Sequence, residues 1–385
     1  MSNRSSSFDV AVVGAGVVGL AVGWRAAQRG LRVVVLERGH GPAKETSSVA
    51  AGMLAPISET LATELPLMRL GLAAAQAYPD FVAELAEASG TDPGYLRCGT
   101  LLAARDGDEA EALARELALR ESLGLGAHRL RASEARRLEP ALAPALRLAL
   151  DIPDDHAIDP RKLTAALVRA LTAARGELRV GAPVAEVTIA GDRVTGVRLD
   201  DEQDLGAEHV VIAAGSWSPA IRGLPTEARV PIHPVKGQIL RLHDPDGPGL
   251  LTRVLRMTGG YLVPRGDGRY VLGATMEERG FDTTVTAGGA FELLRNAFEL
   301  LPSVTELVID ELSAGLRPTT PDNAPAIGRG AIPGLHWATG HFRHGILLTP
   351  VTAQMVVAGL AGEATGDLAP DFAPTRFART QAAAA

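Results

Sequence analysis

Apolar residues run without a break over Val10–Val13, stop at Gly14, resume with helical spacing from Val17 to Ala27, and run again over Val33–Leu36. A short continuous apolar run ending in glycine is the pattern of a strand buried on both faces, and the stretch between has the 3.6-residue period of a helix. The order is strand, glycine turn, helix, strand, and it closes on Glu37.

The glycines in this unit are spaced for chemistry. Gly14-Ala15-Gly16-Val17-Val18-Gly19 places one glycine at the tight turn, one where backbone must approach a pyrophosphate, and one where the helix lies on the strand. The free N–H groups at the helix start favour phosphate oxygens. Glu37, at the tip of the second strand and followed by Arg38, is placed to accept hydrogen bonds from ribose hydroxyls. These residues predict a dinucleotide grip without saying which dinucleotide.

Beyond Glu37 the strand-helix-strand rhythm stops. A Ser/Ala/Gly stretch over 46–52 precedes helical patterns over 63–89 and 109–123, and Ser133–Pro140 carries a serine and acidic residues that suit a further helix start. Asp159-Pro160 predicts a helix through Leu171, with aspartate as cap and proline in the first turn. Alternation over 178–180, 184–189 and 194–199 predicts a small antiparallel meander, and the apolar run from His209 to Gly215 a buried parallel strand returning to the first sheet. Short strands over 237–242, 260–263 and 270–272 suggest a mixed second sheet, followed by a helix over 290–300, strands over 307–313 and 337–340, and a last helix over 347–359. The predicted class is α/β with α+β character: a Rossmann-like nucleotide domain over 8–80, 147–222 and 311–372, a mixed-sheet substrate domain inserted as 81–146 and 223–310, and a tail over 373–385.

Composition narrows the function. The 385 residues suffice for two or three domains, while a net charge of −7 and 4% aromatic residues argue against a nucleic-acid partner. No eighteen apolar residues run together, which points to a soluble cytoplasmic protein without stable membrane association and leaves a homo-oligomer open. Cys98 is the single cysteine, so an intrachain disulfide and any multi-cysteine metal site are excluded. His341 and His344 lack a further ligand motif, and no metal is expected. The alanine-rich end, Gln381–Ala385, has nothing to pack with and is set aside.

Three further stretches make the picture specific: Ser47-Ser-Val-Ala-Ala-Gly-Met53-Leu-Ala-Pro56, Gly315-Leu-Arg317-Pro-Thr-Thr-Pro-Asp322 and Gly340-His-Phe-Arg343-His-Gly345-Ile-Leu-Leu-Thr-Pro350. Together with the N-terminal fingerprint they resemble the flavin-dependent D-amino-acid-oxidase-like family across nearly the whole chain. The resemblance is nearest to its glycine oxidase branch, the amine oxidases of thiamine synthesis. It implies a D-amino-acid-oxidase-like fold and FAD, held noncovalently because no cysteine lies near the C-terminal loops. It also implies oxidation of glycine, and of sarcosine or small D-amino acids, by hydride transfer to flavin N5. The products would be the imine or glyoxylate, ammonia and hydrogen peroxide.

The same resemblance assigns residues. Arg317 would bind the substrate carboxylate, as planar bidentate recognition of that group requires. Tyr261 would make a second contact to it, Arg343 would approach the substrate, and Met53 and Met276 would wall a small pocket. Ser47, Ser48, Ala51, Gly52 and Met53 would face the flavin, Val184 and Gly215 would meet the cofactor, and the loop His341, Phe342, Arg343, His344, Gly345, Ile346 and Leu347 would lie along it. His344 departs from the asparagine usual at that position of the family. No residue is expected to act as an acid or base. The alternatives are a D-amino-acid dehydrogenase passing electrons to a quinone or other acceptor, an NAD-dependent dehydrogenase, and a noncatalytic flavin-binding protein.

Overall fold

The computed structural model describes residues 7–378, so the alanine-rich end lies outside the described residues. The glycine-punctuated unit forms as its pattern requires. Strands Phe8–Val13 and Val33–Leu36 pair in parallel, with helix Val17–Gln28 between them. Leu20, Val22 and Trp24 of that helix are fully buried, each worth roughly 1.5–3 kcal/mol of apolar burial. Trp24 meets Phe81 edge-to-face at 5.7 Å, which pins the long helix Leu65–Ser89 to the same core.

The first sheet grows from this unit. Asp204–Ile212 pairs in parallel with Phe8–Val13 on one side and with Leu335–Thr339 on the other. The first part of the same strand continues into the antiparallel pair Val184–Ala190 and Arg193–Leu199. Only these two strands make the expected meander with it. Glu177–Arg179, predicted as the third, instead pairs in parallel with Val33–Leu36 as an edge of the main sheet. Sequence alternation reports burial of one face, not the neighbour across the ladder.

The second sheet is mostly antiparallel and runs in the order 308–319, 233–243, 269–273, 260–264, 254–257, 100–104, 148–152, 128–131. Residues 148–152 and 308–319 therefore belong to this sheet, whereas the boundaries expected at 147 and 311 assign 148–152 and 311–319 to the nucleotide domain. The strands at 100–104 and 148–152 carry no alternation, since nearly every residue is buried. A small third sheet joins Met53–Leu54, His156–Ile158 and Tyr95–Leu96 between the larger ones. Helix Pro160–Ala173 starts as predicted, with Asp159 accepting from the N–H groups of Arg161 (2.9 Å) and Lys162 (3.3 Å). Helix Ala132–Leu138 starts two residues earlier than Ser133 as cap suggests, and the N–H of Arg131 donates to Glu134 at 2.7 Å. The expected tail is packed over its first residues: Phe377 is buried and Arg376 pairs with Asp322 at 2.8 Å. Among the described residues no helix is long and apolar enough to cross a membrane.

Candidate active site

One continuous cavity runs from the glycine turn of the first sheet to the inner face of the second. At the first end Gly14 takes a left-handed φ of +104°, and a Cβ there would sit 2.6 Å from the carbonyl oxygen of Ala213. Gly19 does not line the cavity; a Cβ on it would lie 2.0 Å from the Gly14 oxygen, so its role is to let helix and turn touch. Ala15 is likewise outside the lining, and its N–H donates to Glu37 at 3.0 Å. The other Glu37 carboxylate oxygen accepts from the N–H of Gly39 at 2.9 Å, which fixes the carboxylate at the cavity wall. Gly16, Val17 and Val18 line the cavity at the helix start, and Ser47 accepts from the N–H of Val17 at 3.0 Å. Arg38 lines this end too, with its guanidinium 3.8 Å over the ring of Trp217. Val184 and Gly215 complete this wall.

The middle is formed by the connection after Val33–Leu36. Ala51, Gly52 and Met53 line it, and Gly52, at φ +81°, passes so close to the Ile158 carbonyl and the Pro160 ring that any Cβ would clash. The connection is tied to the second sheet: Thr46 Oγ1 donates to Leu316 O at 2.6 Å, Arg241 Nη2 to Ser48 O at 2.6 Å, and Arg265 Nη2 to Ala51 O at 2.7 Å. Ser48 is absent from the lining because its hydroxyl turns back to the carbonyls of Lys44 and Glu45.

At the far end stands Arg317. Strand 308–319 pairs with 233–243 in a register that sets Arg317 opposite Val235 and Gly315 opposite Gly237. Its Nη1 donates to the carbonyls of Lys236 (3.2 Å) and Thr275 (3.1 Å), and the guanidinium lies over Gly237, where a Cβ would be 2.3–2.5 Å from it. The guanidinium is thus fixed at the cavity wall. Tyr261 lines the same end; burial raises its hydroxyl pKa and Glu59 adds to this, while Arg317 opposes it. Arg343 also lines this end, 3.7 Å from Glu64.

Met276 does not join them. Residue 277 bridges back to Lys236, so alternation turns Thr275 inward and leaves Met276 61% exposed, outside the cavity. The apolar wall is made instead by Met53, Val49 and Ile239. In the C-terminal loop His341, Phe342, Arg343, Gly345 and Ile346 line the cavity, whereas His344 and Leu347 lie behind it around a smaller void. His341 is hydrogen-bonded to Thr352 at 2.9 Å, and burial drives its pKa down to about 3, so the ring is neutral. Glu59, Trp217 and Gly237 were not singled out by the sequence pattern; each sits outside a motif, and only the contact across elements marks it.

A glycine cradle that any Cβ would fill, a fixed carboxylate at one end and a pinned guanidinium at the other fit a dinucleotide with a small anionic substrate beyond it. The comparisons agree. A family described as FAD dependent oxidoreductase matches residues 9–358. The chain is 36% identical over 376 residues to a glycine oxidase of Geobacillus kaustophilus, covering 96% of this chain and 97% of that one. It is 34% identical over 377 residues to the bifunctional protein ThiO/ThiG of a Synechocystis species, covering 97% of this chain but only 54% of that protein, about half its length. The crystal structure of glycine oxidase from Geobacillus kaustophilus superposes with a TM-score of 0.89 at 34% identity, covering 96% of this chain and 99% of that one. With the cradle, the cavity and a family match over most of its length, the chain belongs to the FAD-dependent oxidoreductases and takes FAD as its cofactor.

Proposed function

We propose that the protein oxidises glycine, together with sarcosine and small D-amino acids, to the imine. Water hydrolyses the imine to the oxo acid and ammonia, and oxygen is reduced to hydrogen peroxide. The observation that carries this reading is the guanidinium of Arg317, pinned by two backbone carbonyls at the far end of the cavity that begins at the dinucleotide cradle. Bound FAD supplies the hydride acceptor, N5 of its ring. Arg317 takes the substrate carboxylate as a planar fork and leaves the small remainder of the molecule to be oriented by the walls. Tyr261, kept protonated by burial, donates a second hydrogen bond to the carboxylate. Met53, Val49 and Ile239 leave an apolar wall suited to a small substituent. No side chain is assigned as general base. Glycine is preferred because the relatives at 34–36% identity include proteins named glycine oxidase that match over nearly their whole length.

The resemblance to the ThiO half of the bifunctional relative supports a place in thiamine synthesis, with the imine feeding thiazole formation. We read the enzyme as cytoplasmic, with FAD held noncovalently. The purified protein should be yellow, lose its visible absorbance when glycine is added without oxygen, and give stoichiometric peroxide when oxygen is admitted. A colourless protein overturns the cofactor assignment. A yellow one unaffected by glycine, sarcosine and small D-amino acids overturns the substrate assignment. Bleaching without peroxide, with electrons passed to a quinone analogue, replaces the oxidase by a dehydrogenase.

A further inference from the structure

Glu59 places an acid in a wall otherwise arranged to hold an anion. The turn that carries it is clamped from behind: Asp155 accepts from the N–H groups of Ile57 (3.0 Å) and Ser58 (2.6 Å), while Arg120 donates to the carbonyls of Ile57 (3.1 Å) and Ser58 (2.8 Å). This presses Glu59 onto the cavity end that Arg317, Arg343 and Tyr261 also line, with its side chain only 12% exposed. Arg256 Nη2 lies 3.4 Å from one carboxylate oxygen and His344 Nδ1 3.4 Å from the other. Burial by itself pushes the pKa of this acid up, but Arg256, His344, Arg343 and Arg317 hold it below the ordinary glutamate value. Burial lowers the pKa of His344, against the pull of Glu59.

The charges at this end therefore have a definite balance. Three guanidiniums, Arg256, Arg317 and Arg343, face two carboxylates, Glu59 and Glu64, leaving one positive charge. Behind the turn Arg120 pairs with Glu116 at 3.2 Å, and Asp155 is taken up by the N–H groups of Ile57 and Ser58. One surplus positive charge suits one substrate carboxylate.

Resting on the reading that the site oxidises small amino acids, we propose that Glu59 is a specificity-determining residue that restricts the site to amines bearing a single carboxylate. It holds with its own charge the position beside Arg256 that a second substrate anion would need. Two anions a few ångströms apart in a buried site repel strongly, and an arginine already paired has little to offer another acid. Removing the charge while keeping the shape frees Arg256 for a second carboxylate, while Arg343 keeps Glu64.

The test uses the FAD-loaded enzyme and unreactive ligands, followed by the flavin absorbance change and by calorimetry. In the wild type, diglycolate should bind at least about tenfold more weakly than its monoamide, which has the same shape but one charge fewer. In Glu59→Gln the ratio of diglycolate to acetate affinity should rise by about tenfold or more, and kcat/KM for iminodiacetate should rise relative to glycine, while Glu59→Asp stays like the wild type. Equal wild-type affinity for diglycolate and its monoamide, with acetate binding normally, overturns the role of Glu59 alone; this measurement stands even if Glu59→Gln fails to take up FAD. An unchanged diglycolate-to-acetate ratio in Glu59→Gln, or a loss of glycine binding with acetate unaffected, overturns it as well, the latter making Glu59 the partner of the substrate amine. Acetate without effect on the wild-type flavin overturns the carboxylate site itself and the proposal with it.

Discussion

Arg317 gains its aim from atoms that are not side chains. Two backbone carbonyls accept from one of its nitrogens, and the missing side chain of Gly237 gives the guanidinium room to lie flat on the strand. Replacement of Arg317 by alanine should raise the glycine KM and the acetate dissociation constant about 10- to 100-fold, since a hydrogen bond to a charged group contributes roughly 1.5–3 kcal/mol. Arg317→Lys should recover only part of this, because an ammonium keeps the charge and loses the fork. A subtler variant separates position from charge. Gly237→Ala leaves the arginine in place but drives a methyl into it, so acetate affinity should fall while FAD content stays at the wild-type level. Unchanged acetate affinity would show that Arg317 does not rest on that glycine. The place of Arg317 on the cavity was legible in its motif; that of Gly237 was not, because only strand pairing brings residue 237 beneath residue 317.

Helix Val17–Gln28 and the turn before it work as one element, joined where Gly19 meets the Gly14 carbonyl with no space for a methyl. Gly19→Ala should push the helix away from the strand and lower FAD affinity, read as the fraction of cofactor retained after gel filtration. Full retention would assign the contact no part in the cradle. This element is read correctly from sequence because its turn, helix and strands are consecutive, and each local preference agrees with the packing. Strands 100–104 and 148–152 fail that reading for the opposite reason: buried throughout, they show no period to distinguish strand from helix. Met276 is a further case. A bridge between residues 236 and 277 sets which side chains face inward, and no local pattern contains it.

Over the whole molecule, acid acts through histidines that the fold keeps neutral. His336, on Leu335–Thr339, and His341 are buried with pKa values lowered to about 3 from an ordinary value of 6.5. The unfolded chain binds more protons between these values, so the stability these residues contribute is present above pH 6.5 and is lost as pH falls toward 3. His336, 3.3 Å from His209 and not part of the cavity lining, allows this to be measured without replacing a lining residue. The melting-temperature advantage of the wild type over His336→Gln should be largest near neutral pH and shrink steadily to pH 4. A constant difference across that range would mean that the ring is not held neutral by the fold.

The sequence by itself determined the dinucleotide grip, the capped helix after Asp159, the α/β class and the motifs around Arg317 and Arg343. All are short-range features, in which neighbouring residues already satisfy one another's hydrogen bonds and burial. Tertiary structure alone decided the partner of strand 177–179, the outward turn of Met276, the pinning of Arg317 over Gly237 and the meeting of Glu59 with Arg256 and His344. These depend on charges and strands brought together from distant parts of the chain, where distance and burial set the energy and sequence separation carries no trace of either.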